Sequence, residues 1–166
     1  MALTINIHAT CIRLGKAGVA FGAPPSCGIL LIGKSGSGKS DLALRLIAAG
    51  AQLVADDRTD LFVRQGVLYA TSPARIAGLL EVRGAGILAL PHVKQAKVTL
   101  VAELDKAPQR LPEHRSFRVP AALRLPSGAA PPVISLRPFE ASAPAKLAAA
   151  AAAYTQDLYR EDINPI

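Results

Sequence analysis

The chain has 166 residues, of which 51% are apolar and only 4% aromatic, and a formal net charge of +7. That length suits a single domain over 1–166 with a core of its own, which excludes a dependence on disulfide staples and disorder throughout. The charge suits anionic ligands, but the basic residues are scattered and lack interleaved aromatics, so a nucleic-acid partner is not expected.

Leu3 to Leu14 alternates as a strand, with Ile5, Ile7, Ala9 and Cys11 on one face and Thr4, Asn6, His8 and Thr10 on the other. Gly15 to Gly18 predicts a turn into a short strand at Val19 to Phe21, a hairpin-like opening. Gly28 to Ile32 reads as a buried strand. Ser40 to Ala49 carries Leu42, Leu46 and Ala49 at helical spacing, and Gly50 stands at the C′ position that ends a helix. Gln52 to Ala55 returns as a second buried strand ending at Asp56-Asp57. Thr59 to Val63 and Val67 to Ala70 flank Arg64-Gln65-Gly66 as a hairpin.

Pro73 to Leu80 predicts a short helix capped by Ser72, followed by a charged loop from Glu81 to Gly86. Lys97 to Glu103 alternates as a strand, Ser116 to Leu125 adds one or two more, and Pro126 to Pro132 is a loop. Ala145 to Arg160, with Pro144 in its first turn and an alanine run from Ala148 to Ala153, predicts a closing helix. The order of elements is that of an α/β domain. Cys11 and Cys27 lack metal-ligand spacing and point to a reduced, cytoplasmic setting. No secretory leader is visible, and no apolar stretch suits a membrane span, so a membrane partner is not expected.

Gly33-Lys34-Ser35-Gly36-Ser37-Gly38-Lys39-Ser40 is a G-x-x-x-x-G-K-S loop between a predicted strand and a predicted helix. Its glycines let backbone N–H groups turn inward around a phosphate, and Lys39 reaches the β and γ phosphates. The Ser40 hydroxyl can ligate Mg²⁺ at the helix N-terminus. The cofactors expected are therefore a nucleoside triphosphate and Mg²⁺.

Phosphoryl transfer also needs a group to deprotonate or orient the nucleophile. Asp56 and Asp57 end the strand that follows the loop's helix. If that strand lies parallel to the one before the loop, both carboxyl ends reach the edge where ligands bind. Adjacent carboxylates on a strand face opposite ways, so the spacing leaves open which of the two meets the phosphate. His8 on a polar strand face, the Glu81 and Arg83 pair, and Arg110 in a predicted loop are ambiguous on residue type alone.

Four segments together resemble the catalytic domain of the bacterial HPr kinase/phosphorylase family. They are Ile7-His8-Ala9, Gly33 to Ser40, Leu53 to Asp60, and Leu80-Glu81-Val82-Arg83-Gly84-Ala85-Gly86-Ile87, in that family's order. The resemblance is clear over roughly residues 5 to 105. It implies a P-loop kinase core of the phosphoenolpyruvate carboxykinase-like type, a mixed sheet with flanking helices, often assembled as a hexamer. The implied reaction moves phosphate from ATP to a serine of HPr, the phosphocarrier protein of the phosphotransferase system, and in many members phosphorolysis of the phosphoserine accompanies it.

By motif, Lys39 would neutralise the phosphates, and Ser40 with Glu81 would hold Mg²⁺. Asp56 would take the serine proton with His8 in support, Arg83 would belong to the signature loop, and Arg110 would steady the phosphoryl group. Compared with the family pattern, the chain begins almost at the catalytic core, without the N-terminal domain of longer members, and Pro91 to Lys97 is short. Leu125-Pro126-Ser127-Gly128-Ala129-Ala130 replaces a later basic motif, so the resemblance carries the kinase direction further than the reverse. Two other readings compete: a small-molecule P-loop kinase, which would need an arginine-rich lid, and a nucleotide-binding regulator without catalysis.

Overall fold

The computed structural model describes residues 2–160. Ten strands and two helices follow one another: β1 (Thr4–Arg13), β2 (Cys27–Ile32), α1 (Lys39–Ala48), β3 (Gln52–Ala55), β4 (Arg58–Arg64), β5 (Val67–Thr71), β6 (Leu79–Val82), β7 (Gly86–Ala89), β8 (Gln95–Glu103), β9 (Arg115–Ser116), β10 (Pro132–Ser135) and α2 (Ala143–Gln156). The α/β class with a mixed sheet is as the sequence implies.

β1 organises the sheet. Its second half pairs antiparallel with β2 on one side, Ile12 opposite Ile29, and with β3 on the other, Ile12 opposite Leu53. Its first half pairs with β4, Ile5 opposite Leu61. Flanked and covered on both faces, Ala9 to Ile12 are all buried, Thr10 included, although the alternation of the sequence assigns Thr10 to a polar face. β4 pairs with β5, β5 with β8, and β8 runs parallel to β2, so the pairings return to their starting strand and the sheet is curled on itself.

Each face has its own core. One gathers Leu30, Val54, Leu61, Leu68 and Val101 on the inner side of the curl. The other packs Ile29, Leu31 and Leu100 against Leu42 and Leu46 of α1 and Leu147, Ala148 and Ala151 of α2. The small side chains of α2 let that helix lie close to the sheet, which gives the alanine run its purpose. Among the described residues no helix is long and apolar enough to cross a membrane.

Gly28 marks the closest strand approach: a Cβ there would stand 2.2 Å from the Lys97 carbonyl oxygen. Gly28→Ala must therefore push β2 from β8, and a loss of about 1–3 kcal/mol or more is expected, read as a lower melting temperature. The cysteines lie in opposite cores and are both free. Burial pushes the Cys11 thiol up to about 12 and raises that of Cys27. Neither thiol is expected to alkylate in the folded protein at neutral pH; both should react once denaturant is added, as mass spectrometry would record.

Several local expectations fail. Val19 to Phe21 is not a strand but part of a 3-10 turn over Gly15–Phe21, because left-handed Gly15 and Gly22 bend the chain at both ends. Pro73 to Leu80 forms only a 3-10 turn at Ala74–Ile76; left-handed Gly78 stops it, and the Ser72 hydroxyl bonds the Pro73 carbonyl instead of capping a helix. The loop predicted at Glu81 to Gly86 is the end of β6 and the turn into β7, a separate two-stranded hairpin. Ser116 to Leu125 supplies no strand beyond Ser116, since Pro120 lacks the N–H a ladder needs and a 3-10 turn follows it. The loop through Pro132 gives way to β10 at that residue, and α2 ends at Gln156, before Arg160.

Candidate functional site

β2 and β3 are not neighbours in the sheet, as a simple strand–helix–strand return would make them: β1 runs between them. Both are antiparallel to β1 and so parallel to each other. Their carboxyl ends therefore still meet at one edge, with the glycine-rich loop at the end of β2 and Asp56-Asp57 at the end of β3.

The loop curls around the Lys39 ammonium. Gly38 has φ +94, a conformation that strains any residue with a Cβ, and it opens α1 with the free N–H groups of a helix start. The Lys39 ammonium donates to the carbonyls of Gly33 at 2.7 Å and Lys34 at 3.0 Å. Burial pulls Lys39 below the usual lysine range, and the carboxylates of Asp56, Asp57 and Asp105 pull it back. Asp105, just beyond β8, accepts from the Lys34 N–H at 3.1 Å and so braces the loop from its far side.

β3 and β4 are one strand interrupted at Asp56-Asp57, with Cys11 opposite Ala55 and His8 opposite Arg58 on β1. Asp57 adopts a left-handed φ of +61, and its carbonyl accepts from the Ala9 N–H. That kink separates the two carboxylates. Asp56 is 5% exposed: its Oδ1 accepts from Thr10 Oγ1 at 2.8 Å and Ser40 Oγ at 2.7 Å, and its Oδ2 from the Glu81 N–H at 3.4 Å. The Asp57 side chain is 71% exposed, with Oδ1 3.4 Å from His8 Nδ1. His8 Nδ1 also lies 3.0 Å from the Asp57 carbonyl oxygen; a carbonyl can only accept, so Nδ1 carries the hydrogen there. His8 Nε2 is buried without a hydrogen-bond partner.

One pocket at this edge is lined by His8, Thr10, Ser35, Gly36, Gly38, Lys39, Ser40, Asp57, Glu81 and Arg83, with Asp41, Leu44, Val82 and Phe139. Gly33, Lys34 and Ser37 shape the loop behind it. The structure departs from the sequence reading at three residues: Asp56, expected to take the serine proton, does not line the pocket, and His8 and Arg110 differ as well. His8 supports Asp57 and not Asp56, because the left-handed kink turns Asp57 toward the pocket and leaves Asp56 beneath it. Arg110 is absent from the lining: residues 106–113 form no strand and are all exposed, Leu111 among them at 66%. The cation that does line the pocket is Arg83.

No group of three or more histidine, cysteine or carboxylate side chains stands ready for a metal among the described residues. The donor set fits Mg²⁺ nonetheless. Magnesium at such loops takes few protein ligands and several phosphate and water oxygens. Since Ser40 gives its hydroxyl hydrogen to Asp56, its oxygen lone pairs are left for a cation, with the Glu81 carboxylate on the same pocket wall.

Sequence reasoning missed Thr10, Asp105 and Phe139. Thr10 could have been found, two residues from His8 on the same face of β1. Nothing in the local sequence marks Asp105 or Phe139.

Residues 4–108 match the family described as HPr Serine kinase C-terminal domain. Among curated proteins the chain is similar to the HPr kinase/phosphorylase of Clostridium novyi (strain NT), 53% identical over 64 residues, which are 39% of this chain and 21% of that protein. It is also similar to that of Xylella fastidiosa (strain M12), 46% identical over 69 residues, 41% of this chain and 22% of that one. The alignment thus spans about a fifth of the length of these relatives. Among solved structures the Hpr(Ser) kinase/phosphatase from Coxiella burnetii superposes with a TM-score of 0.71 at 23% identity, covering 93% of this chain and 98% of that one. At that identity the likeness concerns the fold.

Proposed function

The chain belongs to the HPr serine kinase C-terminal domain family, and from that membership we propose that it transfers the γ-phosphoryl group of ATP to a serine of an HPr-type phosphocarrier protein. Phosphorolysis of the phosphoserine is a second reaction of the same site: inorganic phosphate attacks the phosphoserine phosphorus, the serine oxygen leaves and takes up a proton, and pyrophosphate forms. The observation that carries the reading is the division of labour between two adjacent carboxylates, one buried under Ser40 and one exposed against His8.

In this reading the loop amides and Lys39 hold the β and γ phosphates, and Lys39 exchanges its loop carbonyls for phosphate oxygens. Ser40 and Glu81 would hold Mg²⁺, which would supply positive charge to the phosphates. Asp56 keeps Ser40 and Thr10 in place and touches no reacting atom. Asp57 accepts the proton of the attacking serine hydroxyl and gives one to the leaving serine oxygen in phosphorolysis, while the His8 Nδ1–H, bonded to the Asp57 carbonyl, holds residue 57 in its left-handed turn. Arg83 stands where a cation can offset charge on the transferring group. A cytoplasmic homo-oligomer, a hexamer by resemblance, belongs to the same reading and is checked by light scattering.

The test is phosphoserine formation on purified HPr with Mg-ATP. If HPr stayed unmodified although a known kinase phosphorylated it, the reading would fail. Lys39→Ala is expected to weaken nucleotide binding in calorimetry and to abolish transfer, because it removes the charge at the centre of the cradle.

A further inference from the structure

β10 runs parallel to β8 and β8 parallel to β2, so the carboxyl end of β10 opens on the same edge as the P-loop. The segment that follows carries Phe139, 69% exposed in a chain with four phenylalanines, three tyrosines and no tryptophan. Its ring does not drift in solvent. A Cβ on Gly38 would lie 2.8 Å from Phe139 Cζ and 3.1 Å from Cε1, so the ring tip rests on the loop backbone and its faces stay open. Arg45 of α1 donates to the carbonyls of Pro138 and Glu140, on either side of Phe139, which ties this segment to the helix that begins at the loop. Leu44, Val82 and Phe139 are the large apolar side chains in a lining otherwise made of polar groups and glycine.

We propose that Phe139 is the platform on which the base of the bound nucleoside triphosphate stacks. The inference rests on the nucleotide reading of the P-loop and adds a residue that lies beyond the stretch matched to the family. With the phosphates fixed at the loop amides, the base must lie within a nucleotide's reach of Gly38, and Phe139 is the aromatic face there. Stacking needs a held ring with an open face, which the Gly38 contact and the Arg45 clamp provide. A base stacked on an aromatic contributes about 1–3 kcal/mol by alanine substitution, or about five- to a hundredfold in affinity.

Two probes separate base from phosphate: Mg-ATP and inorganic triphosphate with Mg²⁺. Phe139→Ala is expected to weaken ATP by about fivefold to a hundredfold and to leave triphosphate unchanged. Phe139→Leu keeps an apolar group on Gly38 without a π face and should reproduce that loss, so the test survives if the alanine variant does not fold. Phe139→Trp should retain ATP affinity, and as the chain's sole tryptophan its fluorescence should change with ATP and not with triphosphate. Unchanged ATP affinity in Phe139→Ala and Phe139→Leu overturns the inference, and so does an equal loss for both ligands, which would make the ring a mere buttress of the loop. Wild-type protein that binds neither probe would overturn the nucleotide reading along with it.

Discussion

Asp57→Asn is expected to slow phosphoryl transfer by about two to four orders of magnitude, the usual span of general-base catalysis, while Mg-ATP affinity is retained. Asparagine is the suitable probe because it tolerates the left-handed conformation that residue 57 adopts. It keeps the shape and the contact with His8 but cannot take a proton. Alanine at the same place would add backbone strain to the loss of chemistry. Rates with HPr and binding isotherms with Mg-ATP, measured on one preparation, give the two readouts. Were Asp57→Asn to keep its rate while Asp56→Asn lost it, the roles assigned to the two carboxylates would be reversed.

Asp56→Ala should instead show itself in stability. The carboxylate is buried and takes three donors: Thr10 Oγ1, Ser40 Oγ and the Glu81 N–H. Thr10 has no exposure to solvent, so its hydroxyl is stranded when the acceptor goes, whereas Ser40 at the pocket wall can turn to water. A loss of about 2–4 kcal/mol follows from leaving such groups unpaired, and in a chain of this size that is a fall in melting temperature of roughly 5–15 °C. The same variant frees the Ser40 hydroxyl to rotate, so more Mg²⁺ should be needed for half-maximal rate. An unaltered melting curve would mean that Asp56 does not hold β1, α1 and β6 together as its hydrogen bonds imply.

The glycine-rich loop could be placed from the sequence because its pattern is local: glycines, a lysine and a serine at fixed spacing between a strand and a helix. The α/β class was legible for a similar reason, from the periodicities of β1, β2, α1 and β8. What escaped was whatever depends on a distant partner. Strand periodicity assigns Asp56 and Asp57 to opposite faces, but the left-handed Asp57 and the Ala9 N–H it answers to are set by register with β1. Glu81 was placed in a loop because Gly84 and Gly86 punctuate the segment, and its strand exists through pairing with Ile87. Phe139 reaches Gly38 across a hundred residues of chain, a proximity created by the parallel order of β2, β8 and β10. Arg110 lies away from the pocket for the opposite reason: residues 106–113 join no strand ladder that would carry it there.

The position of β2 bears on how the protein is made. It runs between β1 and β8, and Thr99 bonds the Gly28 carbonyl across 71 residues. A growing chain that has just completed the P-loop therefore holds it on a strand with one flank unpaired, and the second flank exists only after Glu103 has been added. Such long-range closure makes for slow folding. If the loop binds nucleotide as proposed, a nucleotide that binds the folded form alone stabilises it, by about 2.7 kcal/mol at a hundredfold excess over Kd. The supply of nucleotide would then govern how much of the chain is folded as well as how fast it turns over.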